Sequence, residues 1–186
     1  MNQRTIALIA VSIATLIYGV TFTIAKEVMP IYIQPYAFIL LRVSSGTLVF
    51  WTASLFVTRQ KIEKGDYKKI MIASFFGIAL NMLSFFKGLS LTSPISASVM
   101  MVTSPIMVLI FSSILIRKPI GKQRILGVFV GLIGALLLIT LGSSSKGTSE
   151  NSAFGNFLVF LNAASYGLYL VLAKDLIKKY NPVVFI

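Results

Sequence analysis

The chain has 186 residues, 56% of them hydrophobic and only 12% charged, with a mean hydropathy of +0.89 and a formal net charge of +12. A soluble domain carries about 25% charged residues, so the medium this sequence is built for is lipid rather than water. With no Cys and no His, disulfides, thiolate chemistry, His-ligated metals and imidazole acid–base catalysis are excluded from this stretch, and neither a metal nor a cofactor is expected.

Six apolar runs have the length of a membrane crossing, near the ~20 residues that span ~30 Å of hydrocarbon. They cover residues 5–25, 36–57, 70–91, 95–116, 125–141 and 154–173, and residues 183–186 would open a seventh. Backbone amides in lipid must be satisfied locally, so the runs are predicted as helices. The fold class is therefore an all-α integral membrane protein. The first run, at 21 residues, is longer than a usual signal-peptide core and is expected to stay as a span.

Polar residues inside these runs are the candidates for function. Tyr18 sits beside Gly19 in the first span and either walls a cavity or packs against another helix. Arg42 lies six residues into the second span, roughly 9 Å deep at ~1.5 Å per residue. Charges at depth are costly and usually face a water-filled interior, although Arg42 and Lys87, a turn below the outer end of the third span, could both snorkel to the interface. Together with Lys26 they would make an outer vestibule positive, which points to an anionic or carboxylate-bearing small molecule. Asn81 and Asn162, near the centres of the third and sixth spans, either bond another helix or face a cavity. Ser44, Ser45 and Thr47 are open to the same two uses, with close packing favoured by their size.

Pro105 falls in the middle of the fourth span and removes the helical partner of the Met101 carbonyl, so a bend is predicted there. Bent helices at membrane depth tend to line cavities. Ser96, Met100, Thr103 and Met107 share one face near the bend, where methionine suits an adaptable lining; the alternative is that Pro105 shapes packing and the methionines fill gaps. Gly127, Gly131 and Gly134 form a small-residue stripe on the fifth span, suited to close packing within the fold or to a homodimer seam. Residues 142–153 read as a flexible linker.

The connectors orient the chain. Thirteen of the 17 Lys and Arg residues fall on the side that carries the N-terminus, among them Arg4, Arg59, Lys68, Arg117 and Lys179, against Lys26, Lys87 and Lys146 on the other. This positive-inside bias predicts a cytoplasmic N-terminus. Basic residues confined to connectors are not a nucleic-acid surface, and no nucleic-acid partner is expected. The partners are the lipid bilayer and a small molecule.

The sixth span repeats the first. With an offset of 148, Tyr18, Gly19, Ala25, Lys26 and Tyr32 recur as Tyr166, Gly167, Ala173, Lys174 and Tyr180, and Glu27 as Asp175. After a slip of one residue, Pro35, Phe38 and Ile39 recur as Pro182, Phe185 and Ile186. Five spans lie between the copies, an odd number, so the second copy should cross in the opposite direction. Inverted repeats mark secondary transporters, with the substrate held near the midplane between them. Residues 1–141 then form one five-helix repeat and residues 154–186 the start of another, so an incomplete chain is expected. Tyr166 is expected to face Tyr18 across the pseudo-twofold.

These residues resemble the drug/metabolite transporter superfamily, in particular its EamA-type ten-helix members. The resemblance covers essentially the whole chain: Tyr18, Gly19 and Lys26 in the first helix, Pro35 and Arg42 in the second, then Gly88 through Pro94, Ala97, Ser104 and Pro105, then Gln123, Gly127 and Gly134. It implies ten helices in two halves and export of small metabolites or amino acids, often coupled to an ion gradient. Members usually carry a Glu at the cytoplasmic end of the fourth helix, where this chain has Arg117, Lys118 and Pro119. All five acidic residues lie at span ends or in connectors, unlike the small four-helix multidrug antiporters with their intramembrane Glu. The expectation is an inner-membrane secondary transporter and no enzyme. The runner-up, a membrane-embedded enzyme or a non-transporting subunit, lacks a cluster of acid, base or nucleophile at depth.

Overall fold

The computed structural model describes residues 3–29, 31–56, 60–117, 121–141 and 152–181. Among them every regular element is helical: α1 (Gln3–Val28), α2 (Pro35–Ser54), a 3₁₀ turn (Lys64–Asp66), α3 (Tyr67–Ser74), a π turn (Phe75–Ala79), α4 (Leu80–Leu91), α5 (Pro94–Met101), α6 (Ser104–Ile116), α7 (Lys122–Leu141) and α8 (Ser152–Lys179). Five stretches are long and apolar enough to cross a membrane: Arg4–Val28, Pro35–Ser54, Lys64–Leu91, Pro94–Ile116 and Ser152–Lys179. Helix α7, of 20 residues, occupies the place of the fifth predicted run. The expected linker falls almost wholly outside the described residues, as do the opening of a seventh span and Arg59, Lys118, Pro119 and Lys146.

Two spans depart from a continuous α-helix, the third without a sequence expectation and the fourth where a bend is predicted. The third is one rod whose middle turn is wider, because the amide of Leu80 reaches back five residues to the carbonyl of Phe75. The hydroxyl of Ser165 donates to the carbonyl of Phe76 at 2.6 Å, the kind of side-chain rescue that irregular backbone needs away from water. Gly77 lets α8 approach at this turn, since a Cβ there would lie 2.5 Å from the ring of Tyr169. The fourth span breaks where Pro105 predicts a bend. The amides of Val102 and Thr103 bond only three residues back, and the Thr103 hydroxyl donates to the Met100 carbonyl at 2.6 Å. Ser93 caps the start of α5 by accepting from the Ser96 amide, with Pro94 pre-set in the first turn.

Helix α8 is the centre of the packing, in contact with α3, α4, α5, α6 and α7. Apart from Val159 and Leu176 its buried face is small or polar, including Gly155, Asn156, Ala163, Ser165 and Gly167. Lipid tails are as apolar as leucine, so helices join in a bilayer through close contact and hydrogen bonds rather than through the hydrophobic effect. At the crossing of α4 and α8, a Cβ on Gly88 would lie 2.8 Å from the Gly155 carbonyl oxygen. Nearby, Thr92 donates to the buried side-chain oxygen of Asn156. Gly167 meets α6 in the same way: its Cβ would lie 2.7 Å from the Cβ of Met107.

Contacts at the helix ends define direction. Lys26, at the end of α1, bonds the carbonyls of Leu89 and Ser90 at the end of α4, at 3.0 and 2.9 Å. The start of α8 meets the same end of α4 through Asn156 and Thr92, while its far end meets the connector before α3 through Lys179 and Asp66. Helix α1 therefore runs parallel to the third span and α8 runs against it. The outer surfaces of α1 and α2 are largely apolar and open, with Leu16, Leu48 and Trp51 among the exposed side chains, as lipid-facing helices require.

Candidate functional site

Three predicted site residues converge on one cleft. Its walls are Tyr18, Thr21 and Phe22 from α1, Arg42 from α2, and Asn81, Met82, Phe85 and Phe86 from α4, around about 370 Å³ of free space that opens to the surroundings. The spacing explains the convergence: Tyr18, Thr21 and Phe22 share one face of α1, and Asn81 and Phe85 stand a turn apart on α4. The ring of Phe22 meets Tyr18 edge-on at 5.5 Å and Phe85 at 5.1 Å, and Phe85 meets Phe86 at 5.0 Å. This aromatic run carries α1 onto α4.

The guanidinium of Arg42 lies 5.5 Å from the centre of the Phe86 ring, within range of a cation–π contact. No carboxylate neutralises it among the described residues. A planar cation with a free fork, backed by an aromatic face, is suited to receive a carboxylate in two parallel hydrogen bonds. Tyr166, expected to face Tyr18, is not among the walls of this cleft. Tyr166 stands beside Tyr169, with ring centres 6.1 Å apart.

The other predicted residues lie elsewhere. Asn162 is buried between α8 and α4, where its amide donates to the Asn81 carbonyl at 2.9 Å while the Asn81 amide donates to the Asn162 carbonyl at 3.4 Å. Each side chain thus bonds the other helix's backbone, and the buried Oδ1 of Asn162 has no hydrogen-bond partner among the described residues. Met100 and Thr103 are buried and Pro105 is exposed beside the α5–α6 break, away from the cleft walls. Lys87 is half-buried. Lys26, assigned on sequence to a positive vestibule, has its ammonium on the last carbonyls of α4, where a cation also complements the helix dipole. Gly131 packs against the Ile106 side chain, while nothing lies where a Cβ on Gly127 or Gly134 would stand.

A second polar cluster had no counterpart in the sequence expectations. Asp66 is buried in the connector before α3 and accepts from Lys179 at 2.7 Å, from the Tyr180 hydroxyl at 2.9 Å and from Lys69 at 3.2 Å. Lys179 also pairs with Glu63 at 2.6 Å, and the Tyr180 hydroxyl accepts from the Glu63 amide. Gln60 completes the clasp by donating to the Lys179 carbonyl and accepting from the Asn181 amide. The only signal was the recurrence of Tyr32 as Tyr180, because the carboxylate and its main partners lie 113 and 114 residues apart.

An all-helical bundle with five stretches long and apolar enough to cross a membrane defines a multi-pass membrane protein. The profile of the EamA-like transporter family matches residues 5–140, and the chain belongs to that family. It is similar to the uncharacterized transporter YyaM of Bacillus subtilis, 28% identical across 88% of this chain and 54% of the relative. An uncharacterized transporter of Archaeoglobus fulgidus is 25% identical across 94% of this chain and 60% of its own length. The chain thus spans little more than half the length of these curated relatives. No solved structure matches it.

Proposed function

We propose that the chain supplies the substrate-handling half of a secondary transporter. It exports small polar metabolites, amino acids or their derivatives, with a preference for a carboxylate. The observation that carries this is the convergence of Tyr18, Arg42 and Asn81 on one cleft, with Arg42 held against Phe86 and free of any acidic partner among the described residues. Arg42 takes the carboxylate, Tyr18 with the rings of Phe22, Phe85 and Phe86 forms the aromatic wall, Asn81 presents an amide, and Tyr166 faces the cavity from α8 once the second half completes it. Lys87 adds positive charge to the outer approach, and the break at Thr103 and Pro105, with Met100 behind it, gives the fourth span a place to flex. Asn162 couples α8 to the cleft through Asn81.

Residues 1–141 act as the first five-helix repeat and residues 154–186 open the inverted second one. The opposite directions of α1 and α8 support this arrangement, and alternating access then follows from one half rocking on the other. The protein lies in the inner membrane with its N-terminus in the cytoplasm, and Gly127 and Gly134 leave an open stripe that suits a homodimer contact. Flux of carboxylated amino-acid derivatives into proteoliposomes holding the natural full-length protein tests the proposal. Arg42→Gln should lower apparent affinity about 10-fold or more, as loss of one charge-assisted pair predicts. Unchanged transport of carboxylated substrates by Arg42→Gln would overturn the assignment of Arg42.

A further inference from the structure

The two copies of the repeat are used in complementary ways. Residues 18–32 and 166–180 share the same key positions, and Ala25 and Ala173 are both buried, at 1% and 0% exposure. Three of the other pairs differ, while Tyr18 and Tyr166 are both exposed. Gly167 is pressed onto α6, where its Cβ would lie 3.0 Å from the backbone nitrogen of Val108, whereas nothing lies within 4 Å of a Cβ on Gly19. Tyr180 is 4% exposed and bonded to Asp66, whereas the side chain of Tyr32 is 83% exposed and makes no hydrogen bond among the described residues. The third pair reverses the order: Lys26 caps the carbonyls of α4, whereas Lys174 is exposed with no side-chain partner among the described residues.

We infer that α1 and α8 interlock two halves, each helix making with the other half the contacts its twin makes here. Gly19 on α1 and Tyr32 in the turn after it receive the second-half counterparts of α6 and of the connector before α3, respectively. Lys174 caps the last carbonyls of the second-half counterpart of α4. The inference rests on the inverted repeat proposed above. Its occupant is the continuing polypeptide, for which the relatives supply the room, since this chain covers 54% and 60% of their lengths. Backbone-close contact at a glycine and a buried tyrosine hydroxyl need a shaped partner with its own polar acceptor, which lipid tails do not provide. The connector before the third helix of the second half should therefore carry an acidic residue placed as Asp66 is, within reach of Tyr32.

The test uses the natural full-length protein in detergent and in nanodiscs. Gly19→Leu should lower the melting temperature by about as much as Gly167→Leu does, because both would push a helix off its neighbour. A nitroxide on Gly19→Cys, in a background freed of other cysteines, should be shielded from dissolved oxygen. An unchanged or raised melting temperature for Gly19→Leu, or an oxygen-accessible nitroxide, would place this face against lipid and overturn the interlock. Dipolar coupling between nitroxides of two copies would overturn the assigned occupant in favour of a second chain. These measurements read packing, so a failed interlock with flux intact in the unsubstituted protein leaves the transport proposal standing.

Discussion

Helices α1 and α8 share a sequence motif and live in different surroundings. In α8 the motif's glycine, alanine and terminal tyrosine are all inside the bundle; in α1 only Ala25 is, and most of that helix's large apolar side chains face outward. Neither helix has a strong apolar stripe to explain this, because in a bilayer both buried and lipid-facing surfaces are apolar. What separates them is steric. Gly88 and Gly155 bring α4 and α8 to backbone contact, and Gly167 does the same for α6, so α8 gains dense packing that the aromatic contact of α1 with α4 does not match. Composition sends both helices into the membrane, and small residues decide which becomes the core.

The sharpest way to break that difference is to fill the glycine crossing. Gly155→Leu places a side chain where the carbonyl of Gly88 and the Cβ of Leu91 stand at 3.0 and 2.9 Å. Overpacking against backbone should cost about 3 kcal/mol, read as loss of monodisperse protein on detergent extraction and a lower melting temperature. Gly46→Leu on α2, with nothing within 4 Å of its Cβ, is the matched control and should leave both readouts nearly unchanged.

A smaller effect is expected from the reciprocal asparagines. Asn162→Leu removes the amide that bonds the Asn81 carbonyl, and interhelical bonds of this kind contribute about 1 kcal/mol. Because the two side chains act on each other's backbone, Asn81→Leu and Asn162→Leu should add nearly independently in a double-mutant cycle. Strong coupling would mean that the pair bonds side chain to side chain, in an arrangement different from the one described here. Asn81→Leu should additionally weaken transport, since only Asn81 lines the cleft.

How far the sequence could be read follows from the same physics. Spans are legible because lipid tolerates few alternatives to a long apolar helix, and the recurrence of Tyr18, Gly19 and Lys26 marks the repeat without any structure. Tyr18, Arg42 and Asn81 stand out as polar groups at depth, and the cleft unites them. Thr21, Phe22, Met82, Phe85 and Phe86 were not legible as its walls, since an aromatic residue facing a cleft and one facing lipid look alike in a hydrophobic run. The π turn at Phe75–Ala79 leaves no periodic mark in an uninterrupted apolar stretch; only Gly77 hints at it. Pro105 announced the break in the fourth span, but not that both the amide and the hydroxyl of Thr103 would bond the Met100 carbonyl there. Asp66 looked like an ordinary connector acid because its partners arrive from the far end of α8.

That clasp supplies the mildest test of the comparison. Tyr180 is held and Tyr32 is not, and the difference at this end is the carboxylate of Asp66. Asp66→Asn keeps the size of the side chain and removes the charge that attracts Lys179 and Lys69. Lys179 retains Glu63 at 2.6 Å, the Tyr180 hydroxyl retains the Glu63 amide at 3.1 Å, and Gln60 still spans to Lys179 and Asn181. The loss should therefore be local. Amide hydrogen exchange in residues 60–66 and 176–181 should quicken while the α4–α8 crossing keeps its protection, because local opening need not pass through global unfolding. The contrast with Gly155→Leu is what sharpens the comparison. If Asp66→Asn released α8 along its whole length, the end clasp rather than the glycine crossing would hold α8 in the core, and the steric account of why α8 and α1 differ would fail.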